Sequence, residues 1–565
     1  MSAKLANFAA FIVEDQIFDD GATESRRYLI EGSLNDGTPL PRIIVPVKEF
    51  VGAAWVDKHW GARAIVHTGA GTAMLCEAIK TLSGNVPVRR IYGHIGWRLI
   101  NEKWVYLHAG GAIGANGPVN SVTVELPCEL AFYQLPAPPP DLRAAVAASL
   151  KLLDLNVPLA GAAWRAPLIE FCPTDFGLHD VGATGTFKSA LTGVAQAFWG
   201  PRWNGTHLPG NWSGTANSLE KMAFLIKDAI FTIDDFAPHG TRREVDTMHE
   251  KAERIYRAQG NLAGRSRLGS DTTLRQTYYP RGMIVSSGED VPRGHSLRAR
   301  MVIDQIGPQD IDAARLRILQ DAAARGLLAE AMAGFVQRIA GRANVSGLAK
   351  ELEQKQQRLC RKFDGIHRRT PDAVASLMLG IEEFLDFAID AGAIGDIEAE
   401  SLSSAAEQTL CSVATAQVSE QAQEDPVNMF VEAISSVLAS CRAHLVNKDG
   451  TEPADALSLG WRRTPREILG AMRYDSSPQG YRMGWVAGEQ IWLLPNESIA
   501  VIEGTLREQG RSLGIGRSTL GKRLREKGWL IELGKNDNPT KPVNIGGHTV
   551  RVFAFAKARL FPSSE

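Results

Sequence analysis

The chain has 565 residues, a formal charge of −1 and 44% hydrophobic residues, which calls for three or four soluble globular domains and excludes a uniformly basic coat for nucleic acid. Its six cysteines (Cys76, Cys128, Cys172, Cys360, Cys411 and Cys441) include no C-x-x-C pair, which excludes a zinc knuckle or disulfide framework and fits a reducing cytoplasm. No apolar run reaches the ~18 residues of a membrane span, and an N-terminus carrying Lys4, Glu14, Asp15, Asp19 and Asp20 does not read as a signal peptide.

Residues 1–135 read as a mixed, strand-rich domain. Alternating segments at Tyr28–Glu31, Arg42–Val47, Trp104–His108 and Ser121–Glu125 predict strands. Helix-like segments lie near Val47–Trp55 and Met74–Leu82, and the Gly-rich Thr68–Met74 reads as a helix entry because it lacks a Lys-Ser pair. Trp97 and Trp104 flank a hairpin turn at Asn101–Lys103 and read as core aromatics rather than base-stacking ones. Pro136–Pro140 is a stiff linker, and Asp141–Leu153 predicts a helix leading into a nucleotide-binding core over 141–305.

The centre of that core is Val181-Gly-Ala-Thr-Gly-Thr-Phe-Lys-Ser-Ala190. A strand-like approach that includes Ile169–Cys172, a small-residue loop and a helix-like exit make the setting of a phosphate-binding loop. Backbone N–H groups of Gly182, Ala183, Thr184, Gly185, Thr186, Phe187, Lys188 and Ser189 would cradle the phosphates of ATP, with Lys188 reaching the β/γ-phosphates and Ser189 ligating Mg²⁺. The standard pattern has Gly where Phe187 stands. Downstream, Asp228-Ala-Ile-Phe-Thr-Ile-Asp-Asp235 predicts a buried parallel strand delivering two acids to the site. Asp234 would hold the Mg²⁺ shell, and Asp235 would orient or deprotonate the attacking water. Trp212–Glu220, between the two motifs, reads as a polar turn and a helix.

Beyond the acids, a helix is expected over 242–258. The Gly260–Gly269 loop follows, with Arg265, Arg267 and nearby Arg275 placed to face a nucleic-acid backbone. Arg281–Asp290 predicts a strand that would sense the γ-phosphate through Ser286 or Ser287. Arg298 and Arg300 are candidates for an arginine finger reaching a neighbouring subunit. Residues 306–445 read as a helical lid with segments at Asp310–Ala333, Val345–Phe363 and Pro371–Ala391. Thr370 is expected as N-cap and Pro371 as first helical residue of the last, with Arg368 or Arg369 reaching back to the nucleotide.

Residues 446–565 predict a helix at Thr464–Arg473, a hairpin at Trp485–Leu494, a helix at Asn496–Glu508, a basic helix from Arg517 and strands at Trp529–Glu532 and His548–Ala554. Helix, turn, basic helix and β-wing make a winged helix-turn-helix. Between Arg511 and Lys527 there are six basic residues and one acid. Arg517, Lys522, Arg523, Arg525 and Lys527 are therefore the expected phosphate contacts.

Taken together, these motifs are similar to a known family. The loop Gly182–Ser189 resembles that of the minichromosome-maintenance helicases, which also lack Gly before the Lys. The set Gly182–Ser189, Ile233–Pro238, Thr273–Gln276, Gly282–Asp290 and Ser296–Arg300 resembles domain-of-unknown-function family 927. The resemblance spans residues 20–400. It implies a multidomain α/β protein with a mixed N-terminal domain, an AAA+ P-loop core with a helical lid and a C-terminal winged helix. It also implies a ring-shaped homo-oligomer, hexameric by that resemblance, that unwinds DNA at the expense of ATP in the replication of a phage, plasmid or cassette. A primase or primase-polymerase is a further implied partner, and no membrane is. On this alignment Arg369 falls at a second sensor, and Arg265 and Arg267 at a pore hairpin. The helicases usually carry Glu where Asp235 stands and Asn where the serine sensor stands. The alternative reading is an ATP-switched origin-binding or loading factor without processive unwinding; a second is a DNA-binding protein with a degenerate ATPase fold.

Overall fold

The computed structural model describes residues 5–561 except 68–70, 265–266, 269–273, 276, 344, 346, 364–368, 424, 469–470 and 510. The chain divides into two compact units, Met1–Gln417 and Val418–Glu565.

The first unit opens with a five-stranded sheet in the order Pro39–Pro46, Glu24–Leu34, Phe8–Asp19, Val88–Tyr92, Thr123–Val124. Its apolar face packs on helices rich in aromatics, where Trp55 lies against both Phe50 and Trp60. The helix expected over Val47–Trp55 is two helices, Val47–Phe50 and Ala54–Trp60, because Ala53 takes a left-handed φ of 51° between them. Thr72–Ser83 is a helix, as its pattern implied, and Thr68 to Ala70 lie outside the described residues. Trp97 and Trp104 flank the Asn101–Glu102 turn, where both residues have φ above zero, as a tight two-residue hairpin requires. Trp97 is buried, and its indole N–H donates to Pro167 O at 2.6 Å.

Apolar side chains before and after Pro136–Pro140 share one core, which includes Trp97, Tyr106, Tyr133, Trp164 and Trp199. The hydroxyls of Tyr106 and Tyr133 donate to the carbonyls of Asp228 and Ile230, 2.8 Å each, tying this region to the acid-bearing strand.

The central sheet has five parallel strands in the order Gly210–Asn211, Lys227–Phe236, Arg281–Gly288, Gly177–Val181, Met301–Gln305. Its inner strands are almost wholly buried, as a parallel sheet covered on both faces demands. Ile169–Cys172 is not part of the approach strand. Its N–H groups close turns onto the carbonyls of Ala166 and Leu168, so they cannot serve a ladder, and Gly177–Val181 is the strand that enters the loop. Asp310–Ala333 is two helices, Ala313–Ala324 and Leu327–Gly341, broken at Gly326 with φ 86°. The helix expected to begin at Pro371 begins at Arg369. Thr370 therefore sits inside the first turn rather than capping it, and Pro371 is tolerated there because first-turn N–H groups have no intrahelical partner.

The second unit is built on a sheet in the order Ala443–Asn447, Tyr481–Ala487, Gln490–Leu493, His548–Ala556, Leu530–Glu532, with Lys541–Ile545 pairing the His548–Ala556 strand as a hairpin. Helices Pro495–Glu508 and Arg517–Glu526 pack on one face through Ile502, Leu506, Leu520 and Leu524. Thr464–Arg473 is not a helix. Trp461–Ile468 and Ala471–Pro478 form a two-stranded antiparallel ribbon. The Thr-Pro pair that suggested a helix start lies instead on an edge strand, where the missing proline N–H removes no needed ladder bond.

Candidate functional site

The loop at the end of the Gly177–Val181 strand turns sharply into the helix Lys188–Gln196. Gly182 is required there, because a Cβ would run into the carbonyl oxygen of Ile306 and crowd the Thr186 hydroxyl. Gly185 has φ 88°. Phe187, where the usual pattern has Gly, takes φ 64° and ψ 14°, so the backbone keeps the left-handed turn that glycine ordinarily supplies. Ala183, Thr184 and Gly185 are exposed at the mouth, and Thr186 and Lys188 are buried beneath it. The Lys188 ammonium donates to Ala183 O at 2.7 Å and to Thr186 Oγ1 at 3.3 Å. Burial lowers its pKa, while Glu289, Asp234 and Asp180 act against that shift.

The acid-bearing strand reaches the same place. Its register shifts between Ile233 and Phe236, and Asp235 has φ 67°. This bulge aims the two carboxylates away from a regular ladder. Asp234 Oδ1 accepts the Ser189 hydroxyl at 2.9 Å and also the Ser287 hydroxyl. Asp235 is exposed beside them. Of the two serines offered by the sequence, Ser287 is therefore the one that meets the acid. Ser286 faces the other way, hydrogen-bonded to His179 Nδ1 at 3.0 Å and to the Trp212 indole N–H at 2.9 Å. His179 is buried, and burial pushes its pKa down to about 4, so it is a neutral structural bridge.

Two acidic features were not read from the sequence. Glu289 accepts the Thr184 hydroxyl at the mouth of the loop; its position directly after the Ser-Ser-Gly strand end was the available signal. Asp180 and Asp304 are register partners on adjacent strands beneath the loop, and both are buried. Burial raises both carboxyls, that of Asp304 to about 6, and Asn156 donates to Asp304 at 2.6 Å. A buried acid within a short strand carries no local signature.

The candidate arginines do not join this cluster within the chain. Arg300 precedes the Met301–Gln305 strand, and its carbonyl accepts the N–H of Gly177, so it lies at the opposite end of the parallel sheet from the loop. Its guanidinium donates to Ser296 Oγ at 2.7 Å and to Asn261 Oδ1 at 3.2 Å. Arg298 lies near Pro292 O at 3.5 Å. Arg369 pairs with Asp175 at 3.8 Å, and burial together with the Arg369 charge lowers the pKa of Arg300. Arg368 and Arg265 lie outside the described residues, as do Thr273 and Gln276. Arg267 and Arg275 face each other in register on a short antiparallel hairpin after the long helix Arg242–Asn261. In the second unit, Lys522 is exposed on the basic helix, Arg517 bonds Asn496, Arg525 bonds Asp537 O, and Lys527 is paired with Asp425 at 3.0 Å.

The oxygen set of Ser189 and Asp234 fits a hard divalent cation that takes its remaining ligands from substrate phosphates. Among the described residues there is no group of three or more His, Cys, Asp or Glu able to hold a metal alone, and no helix is long and apolar enough to cross a membrane.

Residues 145–276 match DUF927, a family described as a domain of unknown function. No curated protein matches the sequence. Among solved structures, the chain is similar to one described as the SCCmec type IV Cch active helicase, with a TM-score of 0.57 at 12% identity over 99% of this chain and 95% of that one. The similarity covers nearly the whole chain, which therefore shares the multidomain α/β fold of that structure. The C-terminal region of NrS-1 (TM-score 0.26, 10% identity, 82% of this chain and 96% of that one) and JCV helicase (0.19, 16%, 43% and 74%) also match, too weakly to carry an argument.

Proposed function

We propose that this protein is an ATP-driven DNA helicase or translocase of a mobile genetic element, built on an AAA+ core and working as a ring with nucleotide between copies. The observation that carries the proposal is the convergence of Ser189 and Ser287 on one oxygen of Asp234, beside the loop that holds Lys188. It lies at the carboxyl ends of parallel strands, where open α/β sheets bind ligands. A strand inserted between the loop strand and the acid strand brings Ser287 to the site, which supports its role as γ-phosphate sensor.

In this reading the Lys188 ammonium exchanges its Ala183 carbonyl partner for the phosphate oxygens of ATP. Ser189 and Asp234 hold Mg²⁺, which supplies charge neutralisation at those oxygens. Asp235, freed from the ladder by the bulge, orients the attacking water. Arg298 or Arg300, with Arg369 close by, serves the nucleotide of the neighbouring copy; their distance from the loop of their own chain supports action in trans, so hydrolysis requires assembly. In the same reading the Arg267–Arg275 hairpin tracks DNA in the pore of the ring. In the second unit, the helices Pro495–Glu508 and Arg517–Glu526 with the Lys541–Ala556 hairpin support a winged helix whose basic helix contacts phosphates.

The test is DNA-stimulated ATP hydrolysis by the full chain and by Lys188→Ala. Loss of the lysine slows turnover by about two to three orders of magnitude in this reading. Equal hydrolysis by both proteins overturns it.

A further inference from the structure

The ribbon Trp461–Ile468/Ala471–Pro478 has no part in the nucleotide site or the basic helix. Among the described residues its two strands pair with each other and with no other strand. Eight residues per strand give it a reach of about 26 Å. Its root is fixed: the Trp461 indole N–H donates to Leu445 O at 2.8 Å, and its ring is buried with Trp485, Trp492, Val543 and Val552. The last two belong to the Lys541–Ile545/His548–Ala556 hairpin, so the ribbon and that hairpin are anchored in one small core. Gln479 returns the chain to Gly460 O at 2.9 Å.

The ribbon is cationic in sequence, and among its described side chains Arg462, Arg463, Thr464, Pro465, Tyr474 and Asp475 are exposed. From Trp461 to Arg482 the sequence carries five arginines (462, 463, 466, 473 and 482) against Glu467 and Asp475. Arg462 and Arg463 are exposed on opposite faces, and among the described residues neither is ion-paired. Arg466 and Arg473 stand opposite each other in register. Tyr474, 66% exposed, shares a face with Arg463, and Tyr481, 73% exposed, lies just beyond the ribbon's end. Large exposed tyrosines on an arginine-rich projection suit a ligand that offers both anionic and flat or apolar surface.

Resting on the DNA-motor reading above, we propose that this ribbon is a second duplex-DNA contact, lying in a groove beside the segment bound by the basic helix. A two-stranded ribbon fits the ~12 Å major groove, and cations on both faces meet the phosphate walls on either side. A protein strand added to the ribbon's edge is disfavoured by Pro465, Pro478 and the arginines along those edges.

The experiment measures binding of the full chain to a fluorescein-labelled 20-base-pair duplex by anisotropy across a salt series, without nucleotide. Each lost phosphate contact flattens the slope of log Kobs against log salt by about 0.9. Arg462→Ala/Arg463→Ala should flatten it by about 1.8, weakening binding roughly 60-fold at 0.1 M salt and hardly at all near 1 M. Arg462→Lys/Arg463→Lys, which keeps the charges, should retain most of the slope, and Tyr474→Ala should weaken binding with the slope unchanged. A wild-type slope and affinity in the Arg→Ala ribbon variant, with a flattened slope in Lys522→Ala/Arg523→Ala, overturns the ribbon proposal and leaves the basic helix as the DNA contact. Duplex binding too weak to measure in the wild-type protein overturns the DNA-motor reading itself.

Discussion

Phe187 offers a sharp test of how the loop works, because its backbone and its ring make separable contributions. At φ 64° and ψ 14° a non-glycine residue carries about 1–3 kcal/mol of strain. Phe187→Gly removes that strain, raises the entropy of the unfolded chain by about 0.4–1 kcal/mol and gives up the contacts of a ring that is already 42% exposed, worth about 1 kcal/mol. These contributions nearly cancel, so the glycine variant should match wild type in stability to within about 1 kcal/mol and in ATP affinity to within a few-fold. Phe187→Val gives the opposite result. A β-branched residue is still less at home in the left-handed region. An added cost of about 1–2 kcal/mol lowers the fraction of loops able to receive phosphate by at most about 5- to 30-fold, and the apparent Kd for ATP rises by the same factor. Titration with a fluorescent ATP analogue in the presence of Mg²⁺, alongside thermal unfolding of each variant, reads both effects. Equal loss of affinity in the Gly and Val variants would refute the argument and assign the function to the ring.

Three further outcomes follow from the geometry. Ser287→Ala, which removes a hydroxyl from Asp234, should cut hydrolysis by about 10²-fold with little change in stability. Ser286→Ala, which leaves the Trp212 indole and His179 without their buried partner, should cost about 1–3 kcal/mol in urea unfolding while leaving ATP affinity within a few-fold. His108 is held neutral by burial, with its pKa pushed down to about 4, while its Nδ1 accepts the N–H groups of Gly110 and Leu135. The unfolded chain takes up a proton at His108 below about pH 6.5 that the folded chain refuses until about pH 4. Relative to His108→Gln, the wild-type protein should therefore lose about 1.4 kcal/mol of stability per pH unit between those limits and no more below them, as unfolding of the pair across that range will show.

The loop between the Gly177–Val181 strand and the Lys188–Gln196 helix, and the acids beside it, were legible in the sequence because their chemistry is local. Gly182, Lys188 and Ser189 are fixed by a tight turn into a helix, and Asp234 by the end of an apolar strand. The helices Pro495–Glu508 and Arg517–Glu526, the second of them basic, were legible for the same reason. What escaped was decided by distant contacts. Thr464-Pro465 reads as a helix start, yet Trp461, anchored to Leu445 and buried against the Lys541–Ala556 hairpin, leads the segment into a ribbon. Ile169–Cys172 has strand-like composition, but its N–H groups are taken up by turns onto Ala166 and Leu168. The choice between Ser286 and Ser287 depended on strand facing, which neighbouring identical residues cannot reveal. Arg369 lies by Asp175 at the far end of the sheet from the loop, a placement set by the packing of its helix against Val157–Arg165 rather than by any motif.

The most direct measurement of the central claim is ATP-dependent strand displacement on forked DNA bearing a 3′ or a 5′ single-stranded tail, with Lys188→Ala alongside. Displacement should require ATP, Lys188 and one tail polarity. DNA-stimulated hydrolysis without displacement on either fork would contradict the helicase reading and point to an ATP-switched loader, and neither activity from the assembled protein would contradict the motor reading altogether.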